Sequence, residues 1–120
     1  MIKTYQANWY QSSTAAPVDK FLQNTAGNYE LTRESQGAYR ILFDLLISDL
    51  DKVVVTIPGI ELNNNFAYDY HKSIIDGKLC VYIYSRDASW ASNELPTIGS
   101  PIDDAMLTGK PLPVKIEIFQ

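Results

Sequence analysis

The sequence has a single cysteine, Cys80, and a single histidine, His71. One cysteine excludes an intrachain disulfide. A chain of 120 residues needs none, because at this size roughly two-thirds of the unfolded surface is buried on folding. Cys80 lies within the apolar run Leu79-Cys80-Val81, where a free thiol behaves as a small hydrophobe. Paired Cys or His spacings are absent, as are a phosphate-binding glycine loop and a nucleophile elbow. No metal, cofactor or catalytic residue is therefore expected. Apolar runs such as Ile41-Leu42-Phe43 and Val53-Val54-Val55 fall far below the roughly 20 residues of a membrane-spanning helix, so no membrane partner is expected. The segment Met1-Ile2-Lys3-Thr4-Tyr5-Gln6 has no apolar signal core, so no secretion signal is expected and synthesis in the cytoplasm is predicted, with incorporation into a virus particle as the further expectation. Basic residues are outnumbered 10 to 14, for a net charge of −4. A deficit of Lys and Arg argues against binding to nucleic-acid backbones.

Tyrosine is abundant, with eight residues, and there are two tryptophans. Such rings suit both interfaces and sheet faces. Residues 1–37 are rich in Gln, Asn, Ser, Thr and Ala and poor in aliphatic side chains. They read as an extended arm, with Tyr5, Trp9 and Tyr10 as candidate partner-binding anchors. Ser12 to Pro17 reads as a linker. Val18, Phe21 and Leu22 follow Pro17 at helical spacing and predict one short helical turn. If residues 1–37 are an arm, a chain lacking residues 1–16 should remain folded.

Residues 38–120 read as a single antiparallel β-sandwich domain. Tyr39, Ile41, Phe43, Leu45 and Ile47 alternate as a half-buried strand would. Arg40, Asp44, Ser48 and Asp51 recur at helical spacing, so a buried helix is the alternative. Lys52 to Ile57 is β-branched and ends at the turn signal Pro58-Gly59, and Asn63-Asn64-Asn65 marks another turn. Asp76-Gly77 between Ser73–Ile75 and Lys78–Tyr84 predicts a two-residue type I′ hairpin. On the second strand of that hairpin Leu79, Val81 and Ile83 face one way and Cys80, Tyr82 and Tyr84 the other. Both sets are apolar, so a central strand covered on both faces is expected. Ser85 to Pro113 reads as a long Pro-rich loop, with a short helical turn capped by Asp103. Trp90 in that loop is a fourth candidate partner-binding residue, the alternative being a lid over the core. Val114 to Phe119 alternates and predicts a terminal strand.

His71, beside two tyrosines, is expected to be a sheet residue; a small enzyme using it as a base is one alternative function. Asp49, Asp51, Asp103 and Asp104 lack calcium-loop spacing and read as turn acids.

The stretches Ile41-Leu42-Phe43-Asp44-Leu45, Val53-Val54-Val55-Thr56-Ile57-Pro58-Gly59 and Asp76-Gly77-Lys78-Leu79-Cys80-Val81-Tyr82-Ile83-Tyr84-Ser85 resemble the strand, turn and hairpin of cohesin-like β-sandwich modules. The resemblance spans residues 38–86 and implies a sandwich that binds a dockerin-like partner or, more broadly, a sugar-binding sandwich. The leading functional expectation is a non-enzymatic structural protein. It would be an oligomeric subunit of a larger assembly, contacting itself or capsid and tail proteins as a virion cement, decoration or tail component.

The Asp76-Gly77 turn carries a direct test. Gly77→Val should lower stability by about 1–2 kcal/mol or more, because a β-branched residue resists positive φ. An unchanged melting temperature would show the turn to be elsewhere.

Overall fold

Alternation of apolar with polar residues recurs along the whole chain, and in the computed structural model it produces two antiparallel sheets packed face to face. The structure describes residues 2–11, 16–61, 66–89, 97–101 and 111–120. The strands are β1 (Ile2–Tyr10), β2 (Val18–Asn24), β3 (Tyr29–Ser35), β4 (Ala38–Leu46), β5 (Val53–Thr56), β6 (Ile60–Glu61), β7 (Phe66–Ile75), β8 (Lys78–Ser89), β9 (Thr97–Pro101) and β10 (Leu112–Phe119). One sheet has four strands in the order β2-β1-β10-β5. The other has six: β3-β4-β8-β7-β6, with β9 paired to the far end of β8.

Successive side chains on a strand point to opposite faces, and this sorts the core. From the four-stranded sheet, Tyr5, Ala7, Trp9, Val53, Val55, Val114, Ile116 and Ile118 point inward and are buried. From the six-stranded sheet Tyr39, Ile41, Phe43, Leu79, Val81 and Ile83 meet them. Lys72 on β7 ties the sheets together at one side. Its ammonium donates to the carbonyl oxygens of Leu50 and Val53, at 3.0 and 2.9 Å.

The hairpin prediction holds. β7 ends at Ile75, β8 starts at Lys78, and Asp76 and Gly77 both have positive φ, 51° and 78°. Residues 38–46 form the predicted strand and not the alternative helix. The terminal strand is present and begins at Leu112. β8 is central, but its second face is only partly covered: Cys80 is buried, whereas Tyr82 and Tyr84 are half-buried.

Three expectations are corrected. The arm of residues 1–37 is instead part of the sandwich. β1 pairs with β10 from Ile2↔Phe119 to Trp9↔Leu112 and with β2 on its other side, and β3 pairs with β4. The physical reason is that Tyr5, Ala7 and Trp9 fill the core in place of aliphatic residues. The helical turn after Pro17 is the strand β2, because Val18 and Leu22 point outward while Phe21 points in toward Tyr5 and Tyr29. The loop after Ser85 contains the rest of β8 and also β9. The one helical turn among the described residues is a 3-10 turn at Leu50–Lys52, capped by Asp49, which accepts from the Asp51 amide at 3.0 Å. The predicted turns at Asn63–Asn65 and Asp103 lie outside the described residues.

The corrected position of β1 reverses the truncation expectation. Removing residues 1–16 takes a central strand and the buried Trp9 with it. Loss of such a ring alone costs about 3–5 kcal/mol, a large share of a domain's stability. The truncated chain should be unfolded by circular dichroism; a cooperative melt would show that β1 is dispensable.

Candidate functional site

Of the four aromatic residues singled out in the sequence, two are structural. Tyr5 and Trp9 are fully buried on the inner face of β1. The Trp9 indole N–H donates to the Tyr5 hydroxyl at 2.7 Å. The Tyr5 hydroxyl donates to Asp19 Oδ2 at 2.8 Å, and the Tyr29 hydroxyl donates to the same oxygen at 2.5 Å. The strand register makes this possible: Trp9 is paired with Asp19, so the Asp19 side chain turns inward at the sandwich edge. Tyr5 also packs edge-on against Phe21, Tyr29 and Phe43, with centroids 6.0, 5.3 and 5.6 Å away. Asp19 thus joins the four-stranded sheet, through Tyr5, to β3 of the six-stranded sheet, through Tyr29. Burial, followed by contact with the Asp19 carboxylate, pushes both tyrosine hydroxyls well above their ordinary range. They are held as neutral donors.

Tyr10 is different. It is half-buried on the outer face of the four-stranded sheet, with the Lys20 ammonium 5.1 Å from the centre of its ring. Trp90 lies outside the described residues. Tyr5 and Trp9 are therefore not brought together with Tyr10 as a contact surface: the strand's alternation turns them to the opposite face.

The residues considered for catalysis are dispersed. His71 is exposed on the outer face of the six-stranded sheet, its ring 6.2 Å from that of Tyr82 and tilted by 32°. Cys80 is buried under that same face, and burial pushes its thiol up, which suits a packing role. Asp49 caps the 3-10 turn. No group of three His, Cys, Asp or Glu able to hold a metal occurs among the described residues.

The surface feature that sequence reasoning missed is the outer face of the four-stranded sheet. Nine large apolar side chains are exposed among the described residues, and five of them, Ile2, Val18, Leu22, Val54 and Phe119, share this face. Ile2 and Phe119 are direct cross-strand partners, and Val54 sits diagonally from Phe119 across β10. Toward the other end, Gln6, Asn8, Leu22, Thr56, Pro58 and Pro113 line an open groove of about 280 Å³. Lys115 also lines the groove, and its ammonium is 3.9 Å from the carboxylate of Glu117, which stands between the groove and the cluster. Soluble monomers seldom gather exposed apolar groups on one face without a use for them. The signal was legible in part, since Ile2, Val54 and Phe119 occupy outward positions of strands whose inward positions are already apolar. No protein-family model matches this chain, and comparison with curated proteins and with solved structures finds no match either.

The raised tyrosine values give a pH prediction with a definite sign. A hydroxyl that ionises at a higher pH in the fold than in the unfolded chain contributes stability in full below the unfolded value of 10.0. Above that, the unfolded chain releases protons that the fold retains, so stability falls as pH rises. Tyr5 should contribute a slope of about 1.4 kcal/mol per pH unit, and the less buried Tyr29 a smaller one. Denaturant midpoints measured from pH 9 to above pH 11 check this; a flat profile would show that these hydroxyls are not held neutral.

Proposed function

We propose that this protein is a non-enzymatic structural subunit that acts by docking on other protein subunits of a larger assembly. We place that assembly in a virus particle, where the domain would serve as a capsid cement or decoration protein or as a tail component. The observation that carries the docking role is the concentration of exposed Ile2, Val18, Leu22, Val54 and Phe119 on the outer face of one sheet. Exposed apolar side chains gathered on one face, as an end cluster and along a groove, mark interaction sites. The virion setting is supported by a small, acidic β-domain whose sequence holds no catalytic motif. The acidic balance favours protein partners over nucleic acid.

This reading differs from the sequence expectation in which surface does the work. Tyr5 and Trp9 are occupied in the core, so docking falls to the sheet face, with Tyr10 at its margin. The protein should sediment with large particles at fixed stoichiometry when lysate from its source is separated on a density gradient. Cross-links should map to the outer residues of β1, β2 and β10. His71→Ala should leave this association unchanged. A protein found only at the mass of one or two chains, with no cross-link to another subunit, would overturn the assembly role. Loss of biological activity in a well-folded His71→Ala variant that still docks would favour an enzyme.

A further inference from the structure

The arrangement of the docking face identifies one occupant. Along β10, Lys115 and Glu117 both point outward, and they are the only charged residues on that strand. They stand on either side of Ile116. Ile2 and Phe119 lie beyond Glu117 with Val54 directly beside it, and toward the other end lies the groove, lined by Leu22, Pro58, Pro113 and Lys115 itself. Opposite charges and opposite shapes are therefore arrayed symmetrically about one point. A twofold axis lying in the sheet plane, perpendicular to β10 and passing at Ile116, exchanges the two halves. It places position 115 over position 117 and position 119 over position 113.

We propose that this face is a homodimer interface in which a second copy of the chain lies antiparallel across it, Lys115 of each copy over Glu117 of the other. The Ile2, Val54 and Phe119 cluster of each copy is seated in the other's groove. The inference rests on the reading of the protein as a docking subunit and names the first partner of that surface. Such a contact is isologous, so it closes on itself, and an assembly subunit that docks on this face displaces the second copy. Aligned sheets pack within about 30° of each other, which keeps β10 over its counterpart near the axis. The face comprises strands of nine, seven, eight and four residues. At roughly 4.8 Å between strands and 3.3 Å per residue, that is about 440 Å² for each copy. Two such faces come to about 900 Å², in the range of weak, transient contacts. Association should accordingly be modest, with a dissociation constant on the order of 10–100 µM.

Sedimentation of the full chain from low micromolar to about 1 mM tests the proposal. Wild type should pass from monomer to dimer over this range. Lys115→Glu and Glu117→Lys should each weaken self-association by about tenfold or more, because each opposes like charges twice. Mixed in equal amounts, the two variants should associate with each other at least as well as wild type, since 115 over 117 then unites opposite charges at both contacts. Leu22→Asp should abolish dimers, and Leu46→Asp, exposed on the other sheet, should not. Melting curves establish that each variant is folded. A monomer at 1 mM, a dimer indifferent to Lys115→Glu, or single-charge variants that fail to complement each other would overturn the proposal. If it fails while the protein still sediments with large particles, only self-pairing is lost; if both fail, the docking role is lost too.

Discussion

β1 lies between β2 and β10, and its register with β10 carries the first residues of the chain into the middle of the sandwich. Without that pairing the four-stranded sheet has no connection between β2 and the rest. The inner face of β10 would lose Tyr5 and Trp9 as neighbours, and Asp19 would have no strand to hold it over the edge. The consequence is a contact pattern dominated by pairing between distant parts of the sequence. Closing such contacts costs loop entropy before any reward is gained. Hydrophobic burial in the two facing sheets has to offset that cost.

The edge next to β1 shows how a polar sequence can still build a core. Tyr5 and Trp9 each bury a large ring, and each also has a polar atom that must be satisfied. The chain meets this need in series: the indole donates to the Tyr5 hydroxyl, the hydroxyl donates to Asp19, and Tyr29 donates to the same carboxylate from the other sheet. A carboxylate that accepts two hydroxyl donors is well satisfied, and one carboxylate serves both sheets. The arrangement also fixes the relative placement of β2 and β3, which have no ladder between them.

Much of the fold from residue 38 onward was legible in the sequence. The Asp76-Gly77 turn requires two residues at positive φ, and that pair advertises it. Alternation in Tyr39 to Leu45 and in Val114 to Phe119 named the strands directly. In the first 37 residues the strands are built from aromatic and small residues set against amides, so aliphatic content is a poor guide to them. Tyr5-Ala7-Trp9 against Gln6-Asn8-Tyr10 is an alternating pattern, as is Tyr29-Leu31-Arg33 against Glu30-Thr32-Glu34. β2 was hidden for another reason. It is an edge strand with a bulge in its pairing to β1, and nearly all its side chains are exposed, so it shows no clean period. The docking face was hidden because the exposed residues that form it come from β1, β2, β5 and β10. Only the order of strands in the sheet brings them together.

That order also bears on how the molecule can associate. An unpaired sheet edge invites another strand, and edge-to-edge pairing of this kind extends without limit. Here the edges are poor templates. β5 has four residues and β6 has two. β2 carries Lys20 and a bulge, and β3 carries Glu30, Arg33 and Glu34 together with an irregularity at its end. Each of these features disfavours the addition of a strand. The outer face of the four-stranded sheet is less guarded: apart from Lys20 over Tyr10 at its margin, its exposed apolar residues flank one oppositely charged pair. On the proposed reading, association is directed away from the edges and toward a face. A face that is complementary to itself gives a closed pair, not a growing ribbon. On that reading, five exposed apolar groups on a single sheet are covered within a closed pair and do not drive unlimited growth.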